Sequence, residues 1–280
     1  MKFVSIVKPG IIFGNIVTVC GGFFLGSQGL FSFPLLLETL LGMALIIACG
    51  CVLNNIIDID IDSLMERTKH RPLVKGLMSK TTAFIYAIIL GILGFLVLIY
   101  TTNWLTTGIA FVGLFFYVVV YSLALKRKSS WGTAVGGISG AVPPVVGYCA
   151  VTGSFDAGAI ILFLILFFWQ MPHFYAIGIY RLSDYTAASI PILPIKKNIP
   201  YTKIVMLFYT LAFTIAAISP SLFGYTGYAY FIVALILGCT WFYYGWQGLK
   251  ATNDKIWARK MFLFSIINIT VLCIMMAVKI

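Results

Sequence analysis

The sequence predicts an all-α, polytopic membrane protein: nine transmembrane helices in one bundle, with the N-terminus cytoplasmic. Three observations predict it. Of 280 residues, 61% are hydrophobic and only 10% charged, where a soluble domain carries about 25% charge. Nine apolar stretches reach the roughly 20 residues that a spanning helix needs. Of nineteen lysines and arginines, all but Lys279 fall in connections on one side.

The spans are expected at about 9–27, 35–57, 82–100, 104–124, 132–151, 157–180, 202–219, 225–246 and 257–278. They are helices because lipid leaves no backbone group unpaired, and they lack the alternation of barrel strands. The first holds Gly10 and Gly14, and the fifth holds Gly132, Gly136 and Gly140; small residues four apart predict close helix packing. Without a preceding strand these glycines do not form a nucleotide loop. Pro143, Pro144 and Pro172 predict kinks in the fifth and sixth spans. No hydrophilic extension or linker is visible, so a single transmembrane domain over 1–280 is expected.

Lys2 and Lys8 precede the first span. Arg67, Lys69, Arg71, Lys75 and Lys80 follow the second, and Lys126, Arg127 and Lys128 the fourth. Arg181, Lys196, Lys197 and Lys203 follow the sixth; Lys250, Lys255, Arg259 and Lys260 follow the eighth. The positive-inside rule puts this side in the cytoplasm. The net charge of +11 is spread over short loops, which suits an anionic lipid surface and argues against nucleic acid. Cys20, Cys49, Cys51, Cys149, Cys239 and Cys273 show no metal-site or disulfide spacing and read as packing residues. The N-terminal segment reads as a retained helix rather than a signal peptide. No Arg- and Ser-rich transit segment precedes it, so a bacterial plasma membrane is expected.

The longest connections, 58–80 and 181–201, lie on the basic side, so chemistry is expected there. The second span ends in Asn54-Asn55-Ile56-Ile57-Asp58-Ile59-Asp60-Ile61-Asp62. Asn54, Asp58 and Asp62 are spaced i, i+4, i+8 and share one helix stripe, while Asp60 faces away. Like charges at i, i+4 repel, so a positive partner must compensate. A hard cation fits, since Mg²⁺ takes one or two carboxylates together with substrate phosphates. Pairing with Arg67 or Lys69 is the simpler alternative.

The run NNIIDIDIDSLMERTKHRPL (54–73) resembles the first Asp-rich motif of the UbiA superfamily of intramembrane prenyltransferases. KPGIIFGN (8–15), YSLALKR (121–127), GGISGAVPPVVGY (136–148) and FWQMPHFYAIGIYRLSDYTAASIPILP (168–194) extend the resemblance over essentially the whole chain. The last segment is similar to the superfamily's haem-modifying branch. The second acidic motif departs from the superfamily: Tyr175-Ala176 is present, but Ile179 and Ser183 stand where aspartates are expected, with Asp184 adjacent.

The resemblance implies farnesyl diphosphate and haem B as substrates and membrane lipid as surroundings. It implies Asn54, Asp58 and Asp62 as catalytic metal-holding residues for Mg²⁺, with Asp184 a further candidate ligand. Arg67, Lys69, Arg71, Lys75, Lys126, Arg127 and Arg181 are then candidates for the diphosphate. His173, in a span, is a candidate haem contact, with Tyr175 and Asn15 facing the acceptor; Asn15 could equally bond a neighbouring helix. Tyr117, Tyr121 and Trp169 are candidate cavity aromatics, suited to a carbocation. A haem A synthase or a terminal oxidase is a conceivable recipient of product. The competing readings are a prenyltransferase with a quinone or other aromatic acceptor, and a transporter. Midplane titratable groups, which a transporter would need, are nearly absent from the spans.

Overall fold

The computed structural model describes residues 2–30 and 32–278. Among them, nine helices are long and apolar enough to cross a membrane. They are α1 (Pro9–Ser27), α2 (Phe33–Ile57), α3 (Lys80–Thr101), α4 (Trp104–Phe115), α5 (Gly132–Thr152), α6 (Ala157–Tyr180), α7 (Ile199–Leu222), α8 (Tyr228–Gly248) and α9 (Asp254–Met275). α4 runs on as a π-helix over Phe116–Leu125, which an unbroken apolar sequence does not announce. Short helices Lys2–Ile6, Ile59–Leu64, Leu182–Ala187 and Leu193–Lys196 lie outside the spans. Lys279, expected alone on the far side, lies outside the described residues.

Polar side chains start many of the spans. Ser79 Oγ accepts from Thr82 N at 3.0 Å, Asn103 Oδ1 from Thr106 N at 2.8 Å, and Asp156 Oδ1 from Gly158 N at 2.9 Å. Asn198 and Asn253 do the same for α7 and α9. Each cap satisfies an amide that a first turn leaves unpaired.

α2 packs along α3, α1 along α5, and α6 sits among α5, α7 and α9. The α1–α5 approach needs Gly22 against the Pro144 backbone and Gly147 against the Val19 carbonyl; a Cβ at either would collide with main chain. Gly136 and Gly140 behave as expected, facing Tyr121 and Gln170. Gly10 and Gly14 do not: nothing lies near their missing Cβ, and they border a cavity rather than a helix contact. Pro143, Pro144 and Pro172 lie within α5 and α6 without ending either helix.

The larger core joins α5 to α9 around Leu162, Ile165, Met206, Trp241 and Met261. A second joins α2 to α3 through Ala48, Cys49, Ala83 and Ala87. All six cysteines are free, four of them buried. Phe84, Phe208 and Ile215 are exposed on outer helix faces, as expected where lipid tails replace water around an integral membrane protein.

Candidate active site

The ends of α2, α4 and α6 and the start of α1 meet at one end of the bundle, where a cavity of about 870 Å³ opens. Its mouth is lined by Lys8, Asn54, Asp62, Arg67, Arg71, Lys126 and Arg181, and its interior by apolar and aromatic side chains.

α2 stops at Asp58, and Ile59–Leu64 begins a new short helix. The Asp62 amide still bonds the Asp58 carbonyl at 2.8 Å, which preserves the four-residue step. Asp58 and Asp62 are therefore both buried, while Asp60 is 66% exposed in its side chain and takes the fork of Arg127 at 2.6 and 2.7 Å. That contact lowers the Asp60 carboxyl below its ordinary value.

The stripe is compensated by one base from beyond α4 and one from its own connection. Lys126, just past the π-helix, hydrogen-bonds Asp58 Oδ2, and Arg71 hydrogen-bonds Asp62 Oδ2. Arg67 and Lys69, the partners weighed from sequence, hold neither. Turns bring Arg71 back: Lys69 N bonds the Met65 carbonyl, Arg71 N the Thr68 carbonyl, and Thr68 Oγ1 donates to the Asp62 carbonyl at 2.9 Å. Asn54 Nδ2 donates to Asp58 Oδ2 at 2.8 Å and to Ser122 Oγ at 3.0 Å, while its Oδ1 accepts from Lys8 Nζ at 2.6 Å. Asn54 thus orients Asp58, and its own oxygen is already engaged. Ser122 in turn donates to the Tyr117 carbonyl five residues back, a π-helical reach that aims its oxygen at Asn54.

The donor set fits a divalent cation. Asp58 Oδ1 is buried without a hydrogen-bond donor, with Arg127 Nη2 3.8 Å away. No group of three acidic, His or Cys side chains forms a metal cluster among the described residues. Two carboxylates with phosphate oxygens completing the shell is the ordinary Mg²⁺ pattern.

Three expected phosphate contacts fall outside the cavity. Lys69 pairs with Glu66, Lys75 is exposed, and Arg127 is spent on Asp60. A loop without periodicity does not tell which way its bases face. Lys8, which the sequence does not mark out from Lys2, lines the cavity; it sits at φ 55°, which turns it inward. Burial, then the nearby Arg71 and Lys126 cations, push its ammonium down to about 8. Asp184 is buried but outside the lining: Oδ1 accepts from the Glu66 amide at 3.2 Å, tying the two long loops together, and Oδ2 has no partner.

Tyr117, Tyr121, Trp169, Tyr175 and His173 line the interior as expected. Tyr117 and Tyr121 stack at 6.0 Å, and Lys126 lies 5.9 Å from the Tyr121 ring centre. Asn15 lines the cavity and bonds its own helix, at the Ile11 carbonyl, rather than a neighbour.

A helical bundle whose one-sided cavity joins bases and the Asp62 carboxylate, with Asp58 buried behind them, to an oily interior is the architecture of an intramembrane enzyme acting on an anionic lipid-like substrate. The chain belongs to the UbiA prenyltransferase family, whose profile matches residues 15–267. The protoheme IX farnesyltransferase of Yersinia pseudotuberculosis serotype O:1b is 54% identical over 277 residues, 99% of this chain and 94% of that one. The protein of that name from Photorhabdus laumondii subsp. laumondii is 52% identical over the same coverage. Among solved structures, a digeranylgeranylglyceryl phosphate synthase superposes with a TM-score of 0.80 at 22% identity, covering 99% and 98% of the chains. A UbiA homologue from Archaeoglobus fulgidus bound to DMAPP and Mg²⁺ gives 0.75 at 15% identity, covering 99% of each. These two likenesses concern the fold.

Proposed function

We propose that the chain transfers the farnesyl group of farnesyl diphosphate to a vinyl group of haem B, with addition of water, giving haem O and diphosphate. The observation that carries this reading is one cavity with a basic, carboxylate-bearing mouth and an aromatic interior holding His173, in a chain half identical to enzymes of that name.

Lys8, Arg67, Arg71, Lys126 and Arg181 hold the diphosphate at the mouth. Arg gives paired contacts to phosphate oxygens, and Lys a point charge. Asp58 and Asp62 hold Mg²⁺, with Asn54 orienting Asp58; Asp184 braces the loops. When bound, the metal withdraws charge from the departing diphosphate. The allylic C1–O bond breaks, and both electrons leave with the diphosphate. The vinyl π pair forms the new C–C bond to C1. The cation left on the vinyl carbon next to the macrocycle takes an oxygen lone pair of water, which then loses a proton. The apolar cavity keeps water from the farnesyl cation, and the faces of Tyr117 and Tyr121 stabilise it.

The chain works as a single membrane domain over 1–280 in a bacterial plasma membrane. Its mouth faces the cytoplasm, a placement supported by the bases gathered at that end. A haem A synthase or a terminal oxidase would take the product. Purified protein with Mg²⁺ and farnesyl diphosphate, given haem B or 4-hydroxybenzoate, tests the acceptor by product mass. Haem gaining one farnesyl and one hydroxyl group is expected; prenylated benzoate alone would replace haem with an aromatic acid.

A further inference from the structure

His173 in α6 and Ser265 in α9 meet inside the cavity wall, Nδ1 to Oγ at 2.7 Å. Ser265 is fully buried. Its hydroxyl has a single proton, and the Phe262 carbonyl lies 2.5 Å from the oxygen, one turn back on the same helix. That carbonyl can only accept, so the Ser265 proton goes there. The Ser265 oxygen is then an acceptor toward His173, and Nδ1 must carry the imidazole hydrogen. Trp169 completes the fixation. Its Nε1 donates to the Ser265 carbonyl at 2.8 Å, and its indole stacks on the imidazole with ring centres 4.6 Å apart. Phe262 packs against the same ring at 5.1 Å.

The consequence falls on the other nitrogen. Nε2 keeps its lone pair and has no hydrogen-bond partner among the described residues, on a side chain that lines the cavity. A neutral imidazole oriented through Nδ1–H is the form that binds a metal through Nε2. His173 lies seven residues before the end of α6 at Tyr180, about 10 Å along the helix from the mouth. A macrocycle centred there points an edge toward the diphosphate end, where C1 of the prenyl chain must lie.

We infer that Ser265 is a positioning residue: it fixes His173 as the Nδ1–H tautomer, so that Nε2 ligates the iron of the acceptor and sets its depth in the cavity. This rests on haem B being the acceptor.

The test titrates haem B into the purified full chain and reads the iron ligand by absorption and resonance Raman spectra. The unaltered protein is expected to show an imidazole-ligated iron, and His173→Ala to lose it. Ser265→Ala should weaken haem binding roughly 10- to 100-fold and alter the iron–imidazole signature, with the KM for farnesyl diphosphate unchanged. Ser265→Thr, which keeps the hydroxyl, should restore both. Farnesyl diphosphate binding serves as the check of folding, and Ser265→Cys replaces the alanine variant if that one fails it. Wild-type affinity and spectrum in Ser265→Ala would overturn the inference while leaving haem as substrate. Haem bound without an imidazole signature would overturn it too. A protein that binds no haem but prenylates another acceptor would instead overturn the proposed function beneath it.

Discussion

The two long connections at the mouth leave equivalent helix ends, yet they carry unequal chemistry. The one after α2 buries two carboxylates, Asp58 and Asp62, the first met by Lys126 from beyond α4 and the second by Arg71 of the same connection. The one after α6 carries Asp184 alone, with one oxygen spent on the backbone of the first connection. The second connection contributes Arg181 to the lining, while its Asp184 is tied to the first connection and lies outside that lining. The charge count agrees. Five bases line the mouth, and two carboxylates stand against them, leaving an excess of three positive charges. That excess, counted before any Mg²⁺ is added, draws an anionic diphosphate to the mouth. The lesson is that an acid-poor second loop suits a site whose bases carry most of the diphosphate charge.

Substitutions at the two loops would break or sharpen this contrast. Asp58→Asn should lower the rate of product formation on the order of 10²–10³, the usual loss for one preorganised charged partner. Its thermal midpoint should be measured alongside, because Lys126 loses its buried counter-charge.

Lys8 comes next. Its value near 8 means that it is charged below that pH and neutral above. A bound diphosphate favours the charged form, so affinity for farnesyl diphosphate should fall about tenfold as pH rises through 8. Lys8→Arg should flatten that fall in a binding titration. For the free protein the sign reverses. The charged Lys8 is a cost to folding, full below pH 8 and relieved as pH rises from there toward the ordinary 10.5.

Asp184→Asn should cost at most about fivefold in rate, the worth of one hydrogen bond to a backbone amide. A loss matching that of Asp58→Asn would make the second loop a metal site after all. Asp60→Asn should change the rate less than twofold, because its pair with Arg127 is solvent-screened; steady-state kinetics of the two variants side by side decide both points.

The sequence carried much of this arrangement. Hydropathy set the spans to within a few residues, because lipid demands apolar length. The four-residue step separated buried Asp58 and Asp62 from exposed Asp60, because the helical period persists across the break at Asp58. What stayed hidden depends on features without a period. The π-helix of α4 is apolar like its flanks, so nothing marks the shift that aims Ser122 at Asn54. Lys69, Lys75 and Arg127 are as basic as Arg71, and only loop turns decide that Arg71 alone among these four reaches the cavity. Lys8 owes its inward direction to a left-handed backbone. Ser265 is one hydroxyl in a spanning helix, where such groups ordinarily bond their own helix.

The most direct measurement is single-turnover formation of farnesylated haem by purified protein at saturating Mg²⁺, comparing the unaltered chain, Asp58→Asn and Asp184→Asn. Product from the unaltered chain and from Asp184→Asn at similar rates, with Asp58→Asn slowed at least a hundredfold, is the result the arrangement of the mouth predicts. An Asp58→Asn protein that turns over as fast as the unaltered one would contradict it.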